Sequence, residues 1–203
     1  MVLNNIMKKY TQTGFTLLEL MVVIAMMGVL FAVGIPSFTT MILTSELADT
    51  TNELTLSLRR ARGLAIESGK EVVVCSSTNT DADPALVTCS GVTGNWTNGW
   101  AILVDRNMDG NFIGANELVW VKEMKSDTTI TFTASPDTGT ANFTNDFTHT
   151  VTFSHTGGLK DGTAGEFWIC SGVEDGGLLR RELSVTVGGE TTFTKNQTPA
   201  TNC

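Results

Sequence analysis

Gly14-Phe15-Thr16-Leu17-Leu18-Glu19 decides how this chain is read. The stretch joins a short polar leader, Met1 to Gly14, to an apolar run that reaches Phe38. The leader carries Lys8 and Lys9 and no acidic residue, and the run carries a single charge, Glu19. A helix crosses a bilayer in roughly 20 residues, and the run from Phe15 to Phe38 offers 24. One ionised group inside such a span costs about 2.5 to 3.5 kcal/mol on insertion scales, so Glu19 needs a reason. An ordinary secretory signal has an apolar region of about 7 to 15 residues and then a small-residue cleavage site. Here the run is longer and no such site stands out after it. A plain signal anchor suits the length and the lysines but leaves Glu19 unexplained. Basic residues ahead of the span keep the N-terminus cytoplasmic and place the rest of the chain across the membrane.

This order of basic leader, Gly14, Phe15, three apolar or small residues and Glu19 resembles the class III signal of type IV prepilins and pseudopilins. The resemblance implies that a prepilin peptidase cuts between Gly14 and Phe15 and methylates the new amine of Phe15. It implies that the apolar run stays in the mature protein as membrane anchor and assembly helix, with Glu19 serving assembly. The setting implied is a bacterial inner membrane, crossed once, with a periplasmic C-terminal domain that enters a pilus. Partners follow in kind: other minor and major pilins, the peptidase and the inner-membrane assembly machinery.

The chain has 203 residues and a formal net charge of −8. Removing the leader, with Lys8 and Lys9, takes the mature side chains to −10. Beyond leader and span, one modest globular domain remains. Its acidity disfavours general binding to phosphate backbones. Cys75, Cys89, Cys170 and Cys203 form an even set in an exported domain, which favours disulfides. Four cysteines allow three pairings, and the sequence alone does not choose among them. Local closure favours Cys75–Cys89 and Cys170–Cys203, because shorter loops cost less entropy to close. A structural zinc competes weakly, since no Cys-x-x-Cys pair is present.

After Pro36 the residues Leu47, Leu54, Leu58, Ala61 and Ala65 make one apolar stripe at helical spacing, with Asp49, Glu53, Arg60 and Glu67 left for other faces. Gly69 is a natural stop, and Arg59, Arg60 and Arg62 near that end suit the helix dipole. Gly28 and Pro36 predict a kink or local loosening. From Glu71 onward short segments bounded by Gly, Asn, Asp or Pro predict strands at Glu71–Cys75, Gly99–Asp105, Glu117–Met124, Thr128–Thr133, His149–Ser154, Glu166–Cys170 and Arg181–Val187. The segment after Gly188-Gly189 reads as loose, with a disulfide at Cys203 to tie it down. The expected organisation is a leader over 1–14, a membrane-spanning and assembly half of the helix over 15–38, an amphipathic half over 39–69 and a periplasmic β-domain over 70–203. The fold class is α+β: a long N-terminal helix packed on an antiparallel β-sheet domain.

The arginine-rich end of the helix, Glu71-Val72-Val73-Val74-Cys75 and the stretch Gly99 to Gly110 resemble the GspH/FimT/FimU group of minor pilins and pseudopilins. Two local cysteine pairs resemble FimU, of type IV pili, more than GspH, of type II secretion. FimT, linked to DNA uptake, carries a basic stretch near its C-terminus, whereas here Arg180 and Arg181 are followed by Gly188-Gly189-Glu190 and Lys195 alone. The resemblance therefore implies a structural minor pilin of the tip or priming complex first, a type II secretion pseudopilin second and a DNA-binding competence pilin third.

Two further patterns bear on function. Asp105, Asn107, Asp109 and Gly110 match the first half of a calcium loop. The twelfth position is Asn116, with Glu117 one residue late, so Asp105, Asn107, Asp109 and Glu117 form only a shifted candidate site. A tight turn held by its own side chains is the favoured alternative. His149 and His155 sit six residues apart, about 20 Å when extended, too far for one metal or one catalytic step. No nucleophile stands in a recognisable motif, so an enzyme is not expected, and no cofactor beyond calcium is implied.

Overall fold

The computed structural model describes residues 14–77, 87, 89, 96, 98–112, 116–124, 130–135, 150–160, 162, 164–172 and 178–196, with backbone alone at 32–40, 130–135, 171–172, 178 and 194–196. Helix α1 spans Leu17–Ser68, 52 residues, and its helical assignment runs through Gly28 and Pro36 without a break. It stops where the sequence says it should. Gly69 takes the left-handed conformation, φ 65°, and its N–H reaches back to the Ala65 carbonyl at 3.0 Å, a glycine C-terminal cap.

The chain divides into two compact units, 1–41 and 42–203. In the first unit the described side chains from Phe15 to Phe31 are all exposed, whichever way round the helix they point. A helix that is apolar all round takes its burial from outside itself. Among the described residues no helix is long and apolar enough to cross a membrane. The expected span over 15–38 includes 32–38, of which only the backbone is described. The 17 positions from Phe15 to Phe31 fall short of the roughly 20 required.

In the second unit, the amphipathic half of α1 buries the anticipated stripe: Leu47, Leu54, Leu58, Ala61 and Ala65. The arginines do a different job from the one the helix dipole suggests. The last turn holds no basic residue. Arg59 Nε instead donates to Thr191 Oγ1 at 3.0 Å and Arg62 Nε to the Gly157 carbonyl at 3.1 Å. Dipole effects fade beyond the terminal turn, so these side chains tie the helix to the sheets rather than cap it.

Eight strands follow: β1 Val72–Ser76, β2 Gly99–Val104, β3 Leu118–Glu123, β4 Ile130–Ser135, β5 Thr150–Phe153, β6 Gly165–Gly172, β7 Leu178–Val185 and β8 Thr191–Asn196. They form two four-stranded antiparallel sheets, ordered β3-β2-β1-β5 and β4-β6-β7-β8. Seven of these lie where sequence patterning puts a strand, with ends shifted by a few residues. The eighth overturns an expectation. Gly188-Gly189 is a hairpin turn, closed by Thr186 N–H to Glu190 O at 2.9 Å and Gly189 N–H to Thr186 O at 2.8 Å, and Thr191–Asn196 pairs along β7.

Alternation explains the layers. Val72, Val74, Trp100, Ile102, Val104, Val151 and Phe153 from the first sheet meet Phe167, Ile169, Leu183 and Val185 from the second, with the helix stripe joining them. Trp96 stands edge-on to Phe167, ring centres 5.1 Å apart, inside this core. The helix is keyed to the same layer, since Trp100 Nε1 donates to Ser57 Oγ at 2.8 Å. Val73, Cys75, Ala101 and Leu103 point the other way and make a second apolar cluster with Val87. The Cys75–Cys89 disulfide holds Cys89 against this cluster.

Candidate assembly site at the helix start

The first helical turn is built by Thr16. Its Oγ1 accepts the Glu19 N–H at 3.2 Å and its carbonyl accepts the Leu20 N–H at 3.2 Å. Thr16 is thus the N-cap and Glu19 the third helical position, the Thr-x-x-Glu spacing of a capping box. Sequence reading treated Glu19 as a lone charge and missed Thr16, although the spacing was visible. The carboxylate also sits at the positive end of the helix dipole, where an anion is favoured. Phe15, directly before the cap, is 83% exposed. Gly14, one residue further, would accept a Cβ with nothing within 4 Å. The fold itself does not require glycine there.

Capping engages the backbone of Glu19 and not its side chain. An N-cap hydroxyl takes one backbone donor, and the Glu19 carboxylate is left free on an exposed turn to meet a cation. The apolar side chains that follow, from Leu17 to Phe31, offer it a low-dielectric surround once another helix or lipid covers them.

The remaining sequence candidates lie in the second unit. Cys75 and Cys89 are joined, with Cα atoms 5.4 Å apart. Cys170 is also disulfide-bonded, and its expected partner, Cys203, lies outside the described residues. Asp105, Asn107 and Asp109 do converge, but on the turn itself. Asp105 Oδ1 and Oδ2 accept the Asp109 and Gly110 N–H groups at 3.2 and 3.0 Å. Asn107 Oδ1 accepts the Asp109 N–H at 3.0 Å, and Asp109 Oδ1 accepts the Asn111 N–H at 2.7 Å. These side-chain oxygens accept the turn's own backbone donors, the arrangement of an Asx turn. Among the described residues no group of three or more His, Cys, Asp or Glu is placed to hold a metal. Glu117 is buried just before β3, and its carbonyl accepts the Val104 N–H at 2.8 Å. His155 is exposed in the turn after β5, and His149 lies outside the described residues.

A capped, apolar helix carrying a carboxylate at its third position, continued as the spine of a two-sheet antiparallel domain, defines the type IV pilin class of subunit. The comparisons narrow the class. The family described as Type II transport protein GspH matches residues 50–189, and the Prokaryotic N-terminal methylation motif matches residues 9–35. The chain belongs to the GspH family. It is similar to a fimbrial protein of Dichelobacter nodosus, 35% identical over 104 residues, covering 51% of this chain and 57% of that protein. A fimbrial protein of Pseudomonas aeruginosa is 39% identical over 62 residues, covering 30% of this chain and 40% of that one. The chain spans about half the length of the curated relatives it matches. Its fold is similar to that of the type IV minor pilin FimU of Pseudomonas aeruginosa, with a TM-score of 0.52 at 19% identity, over 77% of this chain and 97% of that one.

Proposed function

We propose that this chain is a structural minor pilin of a bacterial type IV pilus, taking part in the initiating or tip complex. The observation that carries the reading is the helix start: a glycine the fold does not need, an exposed Phe15 and a carboxylate on the first turn of an apolar helix. Cleavage after Gly14 would leave Phe15 as a new N-terminus beside Thr16. The amine of Phe15 on one subunit is the natural partner for Glu19 on the next, and such a pair fixes axial register between helices. The protein anchors in the membrane through residues 15–38, N-terminus cytoplasmic and domain periplasmic, until it is drawn into the filament. Its partners are other minor and major pilins, the prepilin peptidase and the inner-membrane assembly machinery. The role is structural, with no catalytic step.

A type II secretion pseudopilin is the second reading, favoured by the matching family, that of the type II transport protein GspH. Mass spectrometry of sheared filaments from the producing bacterium tests the first reading. A mature chain beginning at Phe15 in the pilus fraction supports it. Recovery only with secretion components would move the assignment to the second.

A further inference from the structure

The first sheet ends on one side at β3, which pairs with β2 and, among the described residues, with no other strand. An edge strand offers a row of unmet backbone donors and acceptors, which an extended chain can complete. Its register with β2 shifts between Ile102 and Leu103, where the β3 partners pass from Trp120 to Leu118. The bulge leaves Val119 unpaired, and Val119 and its neighbour Trp120 both pack against the helix-side core.

Two hollows therefore open between β3 and α1. One, of about 350 Å³, lies at Leu56, Arg60 and Trp120. The other, of about 360 Å³, lies at Leu64, Val119 and Arg106. Each is large enough for an apolar side chain, and each has an arginine at its rim. Neither arginine forms an ion pair among the described residues, whereas neighbouring Glu53 is already met by Lys122 at 3.5 Å. One acid, Glu67, shares the second hollow. The groove is therefore cationic on a chain whose net charge is −8.

We infer that this groove takes up an extended, acidic segment of a different pilus subunit, added as a strand along β3. The outer edge of β3, unpaired among the described residues, selects extended backbone, the two hollows select apolar side chains, and Arg60 and Arg106 select carboxylates flanking them. The inference rests on the pilin reading, because it needs a neighbouring subunit in the filament.

The test uses the full chain in the bacterium that makes it, with a photocrosslinking residue at exposed Leu56 or, as control, at exposed Thr192 on the edge of the other sheet. Irradiated, sheared filaments should give a Leu56 cross-link to an acidic, non-helical stretch of another subunit and none at Thr192. Arg60→Glu combined with Arg106→Glu should cut that yield about tenfold, since like charges would face one another, while the Cys75–Cys89 disulfide still forms. A chain present in filaments with no Leu56 cross-link overturns this inference and leaves the pilin reading standing. A cross-link to a second copy, to lipid or to a segment without acidic residues also overturns it. Absence of the chain from filaments removes both.

Discussion

Gly189→Ala is the sharpest test of how the β-hairpins are held to the helix. Gly189 has φ 75°, a conformation that costs an L residue about 1 to 2 kcal/mol. A Cβ there would meet the Gly157 carbonyl oxygen well inside any real contact distance, with Phe153 Cε1 at 3.1 Å and Arg62 Nε at 3.2 Å. The offending atom is backbone, so the two turns must part. Parting them pulls on Arg62 Nε to Gly157 O, 3.1 Å, and on Leu159 N–H to Val187 O, 2.9 Å. Losing a charge-assisted bond costs about 1.5 to 3 kcal/mol. The total should be about 3 to 5 kcal/mol, or roughly 10 °C in melting temperature for a domain of this size. Two other glycines calibrate the scale. Gly69, φ 65°, has nothing within 4 Å of a Cβ and should cost only the conformational term, about 1 kcal/mol. At Gly157, φ 85°, the Cβ meets Ile66 Cδ1 at 2.6 Å, the tip of a side chain that is 54% exposed and can swing aside, so that variant should fall between. Urea and thermal unfolding of the mature chain in detergent, followed by circular dichroism, would rank the three. If Gly189→Ala melts within about 2 °C of Gly69→Ala, the close approach of the two turns is not holding the structure.

Gly14→Val should leave the leader attached although the fold leaves open space around a Cβ there, and intact-mass measurement of the membrane fraction decides it. Glu19→Ala should be processed and membrane-held yet enter filaments poorly; normal recovery in sheared pili would rule out the pairing role. Leu58→Ala, fully buried at the helix–sheet contact, should lower stability by about 2 to 5 kcal/mol in denaturant titration. Met108 holds φ 60° in an exposed turn, so Met108→Gly should raise stability by up to about 1 kcal/mol, and any loss would contradict the strain assigned to it.

What was legible in the sequence follows from how local its cause is. The stripe from Leu47 to Ala65 repeats with the helix period, and Gly69 carries its own conformational signature, so α1 could be bounded to the residue at its C-terminal end. β1 and β2 are apolar on both faces and announce themselves. β8 does not. In Thr191–Asn196 the only large apolar residue, Phe193, is 55% exposed, so no buried face marks the strand, and the ladder to β7 creates it. The roles of Arg59 and Arg62 were hidden for a related reason. Their partners lie 132 and 95 residues along the chain, beyond any helical arithmetic. Division into two sheets depends on β1 pairing with β5 across a long separation, which patterning does not encode. At the site, Glu19 stood out by its cost in an apolar run, while Thr16, an ordinary residue in an ordinary cap, did not.

The two units differ in where their stabilising partners are found. Unit 42–203 closes its own core: Trp96, Trp100, Phe153 and Phe167 are fully buried, and helix and sheets meet within one chain. From Gly14 to Phe31, unit 1–41 buries none of its described side chains, with Phe15, Leu18, Leu30 and Phe31 each more than 60% exposed. Each large apolar side chain taken from water is worth about 1.5 to 3 kcal/mol, so that run must be covered by lipid or by other helices. Lipid and neighbouring helices are nearly equal as apolar surroundings, and a subunit can exchange one for the other at little cost in hydrophobic energy. On the proposed pilin reading Glu19 breaks that near-equality: in lipid its carboxylate would have no cation, and beside a neighbour's terminal amine it would have one. A single charge on the first turn would then supply direction to a transfer that the apolar surface alone leaves balanced.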